Sequence, residues 1–433
     1  MTPAAEVRRA LDDEAMSPFQ ATAIGLCIVL NMLDGFDVLV MAFTASEVAR
    51  EWGLSGARLG VLLSAGLVGM AAGSLFVAPF ADRFGRRAIT IACLAVITAG
   101  LAGSALAGSP LQLAALRVIT GIGVGGILAS LNVITAEYAS SRWRSTAISL
   151  QVTGYPIGAT VGGTIAAVLI TTYGWRAAFW FGAAASLAMI PVVVRSLPES
   201  LDFLLARQPP NALLRLNALL AKMGRAPLDA LPPRTPEEQA GRNPLGRLFA
   251  RGALGATLLA WSAFFLVMFS FYFVTSWTPK LLVAAGLSTR QGITGGVLLN
   301  VGGIVGGTLF STLASRVPLK RLATAYLCAT AVFVALFGLY AASLKAAFPI
   351  ALAIGVFLFG SMVALYAATP TLYPAAIRAT GMGWAIGIGR IGAILAPVVA
   401  GLLVDGGWAT PWLYAAFAVP LLLAVLSVRA LEI

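Results

Sequence analysis

Gly73-Ser-Leu-Phe-Val-Ala-Pro-Phe-Ala-Asp82-Arg-Phe-Gly-Arg-Arg87 aligns without gaps on Gly307-Thr-Leu-Phe-Ser-Thr-Leu-Ala-Ser-Arg316-Val-Pro-Leu-Lys-Arg321. Each stretch leaves an apolar segment and ends in a basic turn. A second echo links Tyr138 and the Arg144-Ser-Thr-Ala after it to Tyr373 and the Arg378-Ala-Thr-Gly after it. The chain therefore reads as two copies of one unit. Parallel repeats of this kind place a binding site between the halves, near the bilayer midplane.

With 59% hydrophobic and 11% charged residues among 433, and a mean hydropathy of +0.90, the chain is far from an ordinary soluble domain, which carries about 25% charged residues. It is a polytopic membrane protein. A helix crosses a bilayer in roughly 20 residues, and the apolar runs divide into about twelve spans. These fall near 20–46, 58–81, 88–107, 112–138, 145–173, 177–197, 252–280, 291–315, 322–344, 348–372, 379–404 and 411–430. The runs are too long, and too little alternating, for a β-barrel. The expected division is a segment 1–19, a six-helix bundle 20–197, a linker 198–251 and a second six-helix bundle 252–433. Inside the linker, with its Pro-Pro pairs at 209 and 232 and its Thr-Pro-Glu-Glu run at 235–238, Asn211 is placed to cap a short helix that Gly224 would stop.

The net charge of +12 could suggest nucleic acid, but the basic residues are distributed otherwise. With the N-terminus set on the cytoplasmic side, about 21 Lys and Arg fall in cytoplasmic segments, 6 in external loops and 2 in spans. That is the positive-inside pattern of a bacterial-type inner membrane protein with both termini in the cytoplasm. The first apolar run is too long for a signal peptide and reads as a retained helix. Cys27, Cys93 and Cys328 lie in separate spans, so neither a disulfide framework nor a metal site is readable. Histidine is absent, which leaves carboxylates as the candidate proton carriers.

Asn31-Met-Leu-Asp34-Gly-Phe-Asp37 puts two carboxylates in a run that carries no other charge from 20 to 46. An intramembrane Asp is costly and marks a functional site by default. The i, i+3 spacing sets Asp34 and Asp37 on one helix face, with Asn31 a turn away, and this stripe is expected to face a wet cavity. In span four, Arg117 lies about 8 Å inside the outer surface at 1.5 Å per residue, and Asp37 about 13 Å inside it. The depths suit an ion pair, the alternative being an arginine that snorkels. The glycines Gly121, Gly123, Gly125 and Gly126 that follow let another helix approach closely. Arg390 in span eleven lies about 16 Å deep, beyond easy snorkelling. No acidic residue occurs between Glu238 and Asp405, so its anion must come from the first half, from helix-end carbonyls or from a substrate. Candidate contacts for such a substrate are Asn31, Asn300, the span-seven aromatics including Phe269 and Tyr272, then Tyr366 and Trp384. Asp82, Arg83, Arg87, Glu137 and Arg144 cluster at the inner ends of the spans as candidate gate residues, with Asp82 placed to dock on the start of span eleven near Thr380.

These motifs resemble the major facilitator superfamily over nearly the whole chain, through Gly73–Arg87, Arg117–Gly126 and Gly154-Tyr-Pro156-Ile-Gly158. Leu197-Pro-Glu-Ser-Leu-Asp-Phe-Leu resembles a segment shared with sugar and organic-acid porters. The narrower resemblance is to the aromatic acid:proton symporter family, whose Asp-Gly-X-Asp signature stands here as Asp34-Gly35-Phe36-Asp37 and whose Gly-Arg-X-Gly pattern stands as Gly389–Gly392. Arg316 occupies a place where such families often keep an acid. The resemblance implies an all-α, twelve-helix fold of two pseudo-symmetric bundles that imports an aromatic carboxylate with protons by alternating access. Asp34, Asp37 and Arg117 would couple protons, and Arg390 would hold the carboxylate. No cofactor, metal or catalytic group is expected; the partners are the substrate, protons and lipid, and the molecule is expected to be a monomer. A proton-driven exporter of the same superfamily is the nearest alternative. A membrane-embedded enzyme or sensor is remote, because there is no His, the three Cys are scattered, and the linker is too short for an output domain.

Overall fold

The structure is a computed structural model in which residues 16–231, 248–249 and 254–431 are described. The Thr235–Glu238 run, the second Pro-Pro pair and all but the end of the N-terminal segment lie outside the described residues. Among these residues the regular structure is entirely helical, and twelve helices are long and apolar enough to cross a membrane. They are α1 Pro18–Trp52, α2 Gly56–Phe84, α3 Arg86–Leu106, α4 Pro110–Tyr138, α5 Ser141–Tyr173 and α6 Trp175–Ser196 in the first half. The second half holds α7 Leu254–Ala284, α8 Thr289–Leu313, α9 Leu319–Tyr340, α10 Leu344–Ala368, α11 Ala375–Asp405 and α12 Thr410–Ala430.

Local chemistry sets many of the helix ends. Ser17 and Gln20 form a capping box at the start of α1, with Pro18 at the first helical position, and Ser288 with Gln291 does the same for α8. Ser109 before Pro110 opens α4, while Gly53, at φ 59, closes α1 in the left-handed region. Within α2 the ladder loosens to a π-turn at Gly73–Val77 and a 3-10 turn at Ala78–Phe80. Pro79 has no N–H to give to the preceding turn, and the helix absorbs the missing bond there.

The structure lengthens α1 beyond the expected 46 to Trp52. Hydropathy stops at the first charge, but Glu47 and Glu51 find partners at the rim and the helix continues. Glu47 accepts from the Thr289 hydroxyl at 2.8 Å, and Glu51 accepts from the Trp175 indole at 2.6 Å and from Arg176 at 3.0 Å. The expected side-chain cap at Asn211 is absent. That residue sits at φ 61 in the left-handed region and makes no capping bond, whereas side-chain capping uses an extended backbone. Gly224, at φ 71, does follow the end of that helix, and Leu216 and Leu220 bury one face of it in the main core.

Glycines bring the helices together in two directions. A Cβ on Gly121 or Gly125 of α4 would overlap the carbonyls of Gly66 or Met70 on α2, and one on Gly69 or Gly73 would overlap those of Val118 or Ile122. Gly123 and Gly126 instead face Cys93 and Ile97 of α3. The closely spaced glycines of α4 thus serve two neighbours, Gly121 and Gly125 at a spacing of four towards α2 and Gly123 and Gly126 at a spacing of three towards α3.

Between the halves, α2 packs on α11, α5 on α8 and α1 on α7. Their polar contacts lie towards the face remote from the termini, and Gly56 is so close to Gly401 that neither tolerates a side chain. Towards the face that bears the termini, Cβ atoms on Gly383 and Gly387 of α11 would meet nothing within 4 Å, and Tyr366 and Trp384 are 40% and 44% exposed. The cleft between the bundles opens on that face.

Candidate functional site

The two carboxylates of α1 are held by the way α1 presses on α5. A Cβ on Gly35, between them, would overlap the Tyr155 carbonyl, and a Cβ on Gly158 would overlap that of Met32. Asn31 reinforces the contact by donating from Nδ2 to the Gln151 carbonyl at 2.6 Å. Asn31, expected on a wet stripe, is therefore buried and tied to α5. Asp34 and Asp37 are only 3% and 2% exposed. One oxygen of each, Oδ2, is buried without a hydrogen-bond partner, as is Gln151 Oε1. An orphaned buried polar atom of this kind costs roughly 1–3 kcal/mol.

Arg117 reaches Asp37 and does not snorkel. Its Nη1 donates to Asp37 Oδ1 at 2.8 Å and its Nη2 to the Asp37 main-chain carbonyl at 2.7 Å, while its guanidinium carbon stands 5.8 Å from the Phe179 ring. Both side chains of the pair are almost wholly buried. A buried pair gains little net stability, but removing one partner strands a charge.

Arg390 has a different environment. It is half-buried at the cleft, and its Nη1 lies 3.9 Å from the Met70 sulfur of α2. Among the described residues no carboxylate pairs with it. Gly389 and Gly392, which flank it, press against Met268, Phe264 and the Phe265 carbonyl of α7. Tyr366 lies within electrostatic reach of Arg390 and Tyr272, and Tyr155 within reach of Tyr272, Arg390, Asp34 and Asp37. Tyr366 also meets Phe264 edge-on at 5.6 Å, and Trp384 stacks on Trp261 at 5.8 Å.

Two expected contacts are engaged elsewhere. Phe269 stacks between Phe265 and Phe417, with centroids at 6.0 and 5.0 Å, and joins α7 to α12. Asn300 is 1% exposed and donates within its own helix to the Gly296 carbonyl at 2.9 Å, with its Oδ1 left unpartnered. Sequence reasoning missed Tyr155, Gln151 and Met70. Tyr155 carried a signal, standing between Gly154 and Pro156 of the span-five pattern; Met70 carried none.

The charged residues at the terminus-bearing face are knitted together within the first half. Asp82 does not reach α11: its carboxylate takes Arg86 at 3.1 Å, four residues on. The adjacent turn supplies its partner. Arg87 donates to the Val194 carbonyl, and Arg83 sits 5.3 Å from the Phe84 ring. Glu137 accepts from Ser200 Oγ at 2.9 Å and the Leu201 amide at 2.8 Å, at the start of a short helix, while Arg144 donates to the Ala136 carbonyl at 3.1 Å. The hub is Glu199, which was not anticipated. Its Oε1 accepts from the amides of Arg86 and Arg87 at 2.7 and 3.1 Å.

At the opposite face two carboxylates join the halves reciprocally. Glu47 of α1 accepts from Thr289 at the start of α8. Asp405 of α11 accepts from the Gly56 and Ala57 amides at the start of α2, at 2.5 and 2.8 Å. In the repeat, α2 and α8 are equivalent helices.

A family model described as Major Facilitator Superfamily matches residues 24–385. The chain is 34% identical to a gallate transporter of Pseudomonas putida, over 98% of this chain and 94% of that one. It is 31% identical to a 4-hydroxybenzoate transporter of Pseudomonas aeruginosa, over 98% and 95%. The crystal structure of a D-xylose–proton symporter superposes with a TM-score of 0.73 at 17% identity, covering 94% of this chain and 96% of that one, which shows the shared fold. With twelve spans in two repeated halves, the chain is a membrane transporter of the major facilitator superfamily and belongs to its aromatic acid:proton symporter family.

Proposed function

We propose that this protein imports a small aromatic carboxylate, of the hydroxybenzoate type, together with protons across the bacterial inner membrane, working by alternating access with its termini in the cytoplasm. The observation that carries the reading is the opposition of two sites across one cleft. On one side stands Arg390, a cation deep in the bundle with a thioether as its near neighbour; on the other lies the buried Asp37–Arg117 pair. A planar guanidinium matches a carboxylate with two parallel bonds. The gallate and 4-hydroxybenzoate names of two relatives supply the aromatic acid.

In this reading Arg390 binds the carboxylate, Tyr155, Tyr272 and Tyr366 offer hydroxyls to it and to ring substituents, and Trp384 lines the approach. Asp37 carries the proton. Its neutralisation breaks the ion pair with Arg117, and Asp34 is the adjacent hydrogen-bonding partner. The contacts of Asp405 and Glu47 close the outer side in the inward-open state, and the Asp82, Arg83, Arg87, Glu137 and Arg144 cluster gates the inner side. Asn31 and Asn300 shape the site from its walls.

Uptake of radiolabelled acids by proteoliposomes tests the substrate class. Hydroxybenzoates are expected to accumulate and to compete with one another, while uncharged phenols and sugars do not. Accumulation of a sugar, or of cationic drugs in the outward direction, would overturn the proposal.

A further inference from the structure

Met70 belongs to neither site by its chemistry, yet it touches both. Its sulfur lies 3.9 Å from Arg390 Nη1. It also lines, with Met41, Leu63 and Gly66, a small pocket against Asp37 and Arg117 that has room for about one water molecule. The residue is 4% exposed. Its backbone is pinned, since a Cβ on Gly121 would press on its amide and one on Gly125 would overlap its carbonyl. The side chain is the movable part: a thioether has three rotatable bonds and fills irregular gaps without a fixed shape.

We propose that Met70 is the partition between the substrate cleft and the proton site, so that water in the open cleft cannot reach Asp37 past it. This deepens the proton-coupled reading and rests on it. Without a partition, a cleft open to the inside would let Asp37 exchange its proton with that side in the absence of substrate. With the thioether in place, the Asp37 carboxylate is shut off from the cleft at 2% exposure, while Arg390 is only half-buried. A substrate carboxylate on Arg390 replaces the sulfur as the neighbour of the guanidinium, and the freed thioether can then swing from the pocket. The role is one of positioning, exerted by bulk, so a side chain of similar size should replace it.

The test uses the purified full chain in proteoliposomes, comparing wild type, Met70→Leu and Met70→Ala. Three readouts are taken: 4-hydroxybenzoate accumulation under an imposed pH gradient, its counterflow exchange without a gradient, and substrate-free proton entry seen by a trapped pH dye. Met70→Ala is expected to raise the substrate-free proton leak and lower accumulation, each by about tenfold, or 1.4 kcal/mol, while exchange is kept. Met70→Leu should behave as wild type in all three. A Met70→Ala protein as proton-tight as wild type overturns the proposal, as does a Met70→Leu protein that leaks as much as Met70→Ala. Should the alanine variant fail to fold, Met70→Val carries the same expectation. The dye readout needs no coupled transport, so a wild type whose accumulation ignores the gradient would sink the coupling reading while the leak comparison still decided on Met70.

Discussion

Arg117 grips Asp37 twice, through the carboxylate at 2.8 Å and through the main-chain carbonyl of the same residue at 2.7 Å. The second bond does not depend on charge. When Asp37 is neutralised, the ion pair is lost but the guanidinium keeps an anchor on α1, so the change at the site is a rotation of one contact and not the ejection of a buried cation. For this reason Asp37→Asn is expected to fold, to keep counterflow exchange and to lose gradient-driven accumulation. Asp37→Ala, which keeps the main-chain anchor but also removes the side-chain oxygen that accepts from Arg117 Nη1, should in addition lose about 1–3 kcal/mol of stability relative to Asp37→Asn. Thermal unfolding in detergent together with the two transport assays checks both halves.

Arg390 is expected to set affinity without setting coupling. Arg390→Lys keeps the charge and loses the planar fork, and should weaken binding of 4-hydroxybenzoate by about tenfold; Arg390→Ala should weaken it by at least about a hundredfold. Titration calorimetry measures this. Unchanged affinity in Arg390→Ala, with binding lost in Arg117→Ala, would move the substrate to α4.

The reciprocal contacts of Asp405 and Glu47 should hold the outer face shut. Spin labels at Leu111 and Lys345, on the two halves at that face, should report a longer separation in the Asp405→Asn, Glu47→Gln double variant. At about 1 kcal/mol per hydrogen bond, each bond lost of the three corresponds to roughly a fivefold shift towards the open form. Identical distance distributions would show that the apolar contact of α2 with α11 closes the face alone.

Helix contact predicts a sharp difference between glycines. Gly158→Ala should lower folding yield, because its Cβ would enter the Met32 carbonyl, whereas Gly387→Ala, with nothing within 4 Å of its Cβ, should be tolerated. Size-exclusion profiles of the two proteins make the comparison.

The parts of the site that follow from depth could be read from the chain itself. Charges in apolar runs fix their own height in the bilayer, and this brought Asp37 to Arg117 and left Arg390 without a second-half partner. What escaped depends on which way a helix faces after packing. Met70 is one apolar residue among many until α2 is docked between α4 and α11. Phe269 looks like any of its neighbours until α12 takes its face, and Asp405 looks like a loop charge until the opposite half presents two free amides. The positive start of α11 is a reasonable dock for Asp82 until Arg86, one turn on, takes its carboxylate.

Charge counting gives one more expectation. Two carboxylates one turn apart resist holding two negative charges in a dry site, and Arg117 pairs with Asp37. One proton should therefore accompany each monoanion, and substrate added to proteoliposomes at zero pH gradient should evoke no current. A steady inward current would mean two protons, worth about 2.3 kcal/mol per 100 mV for the extra charge moved.

The central claim is that substrate movement is tied to the protonation of Asp37. The most direct measurement imposes an acid-outside pH step on proteoliposomes holding wild type or Asp37→Asn and follows labelled 4-hydroxybenzoate. The account predicts transient uphill uptake of about tenfold per pH unit in the wild type, reversed when the step is reversed, and only equilibration in Asp37→Asn. Uphill uptake in Asp37→Asn equal to that of the wild type would contradict it.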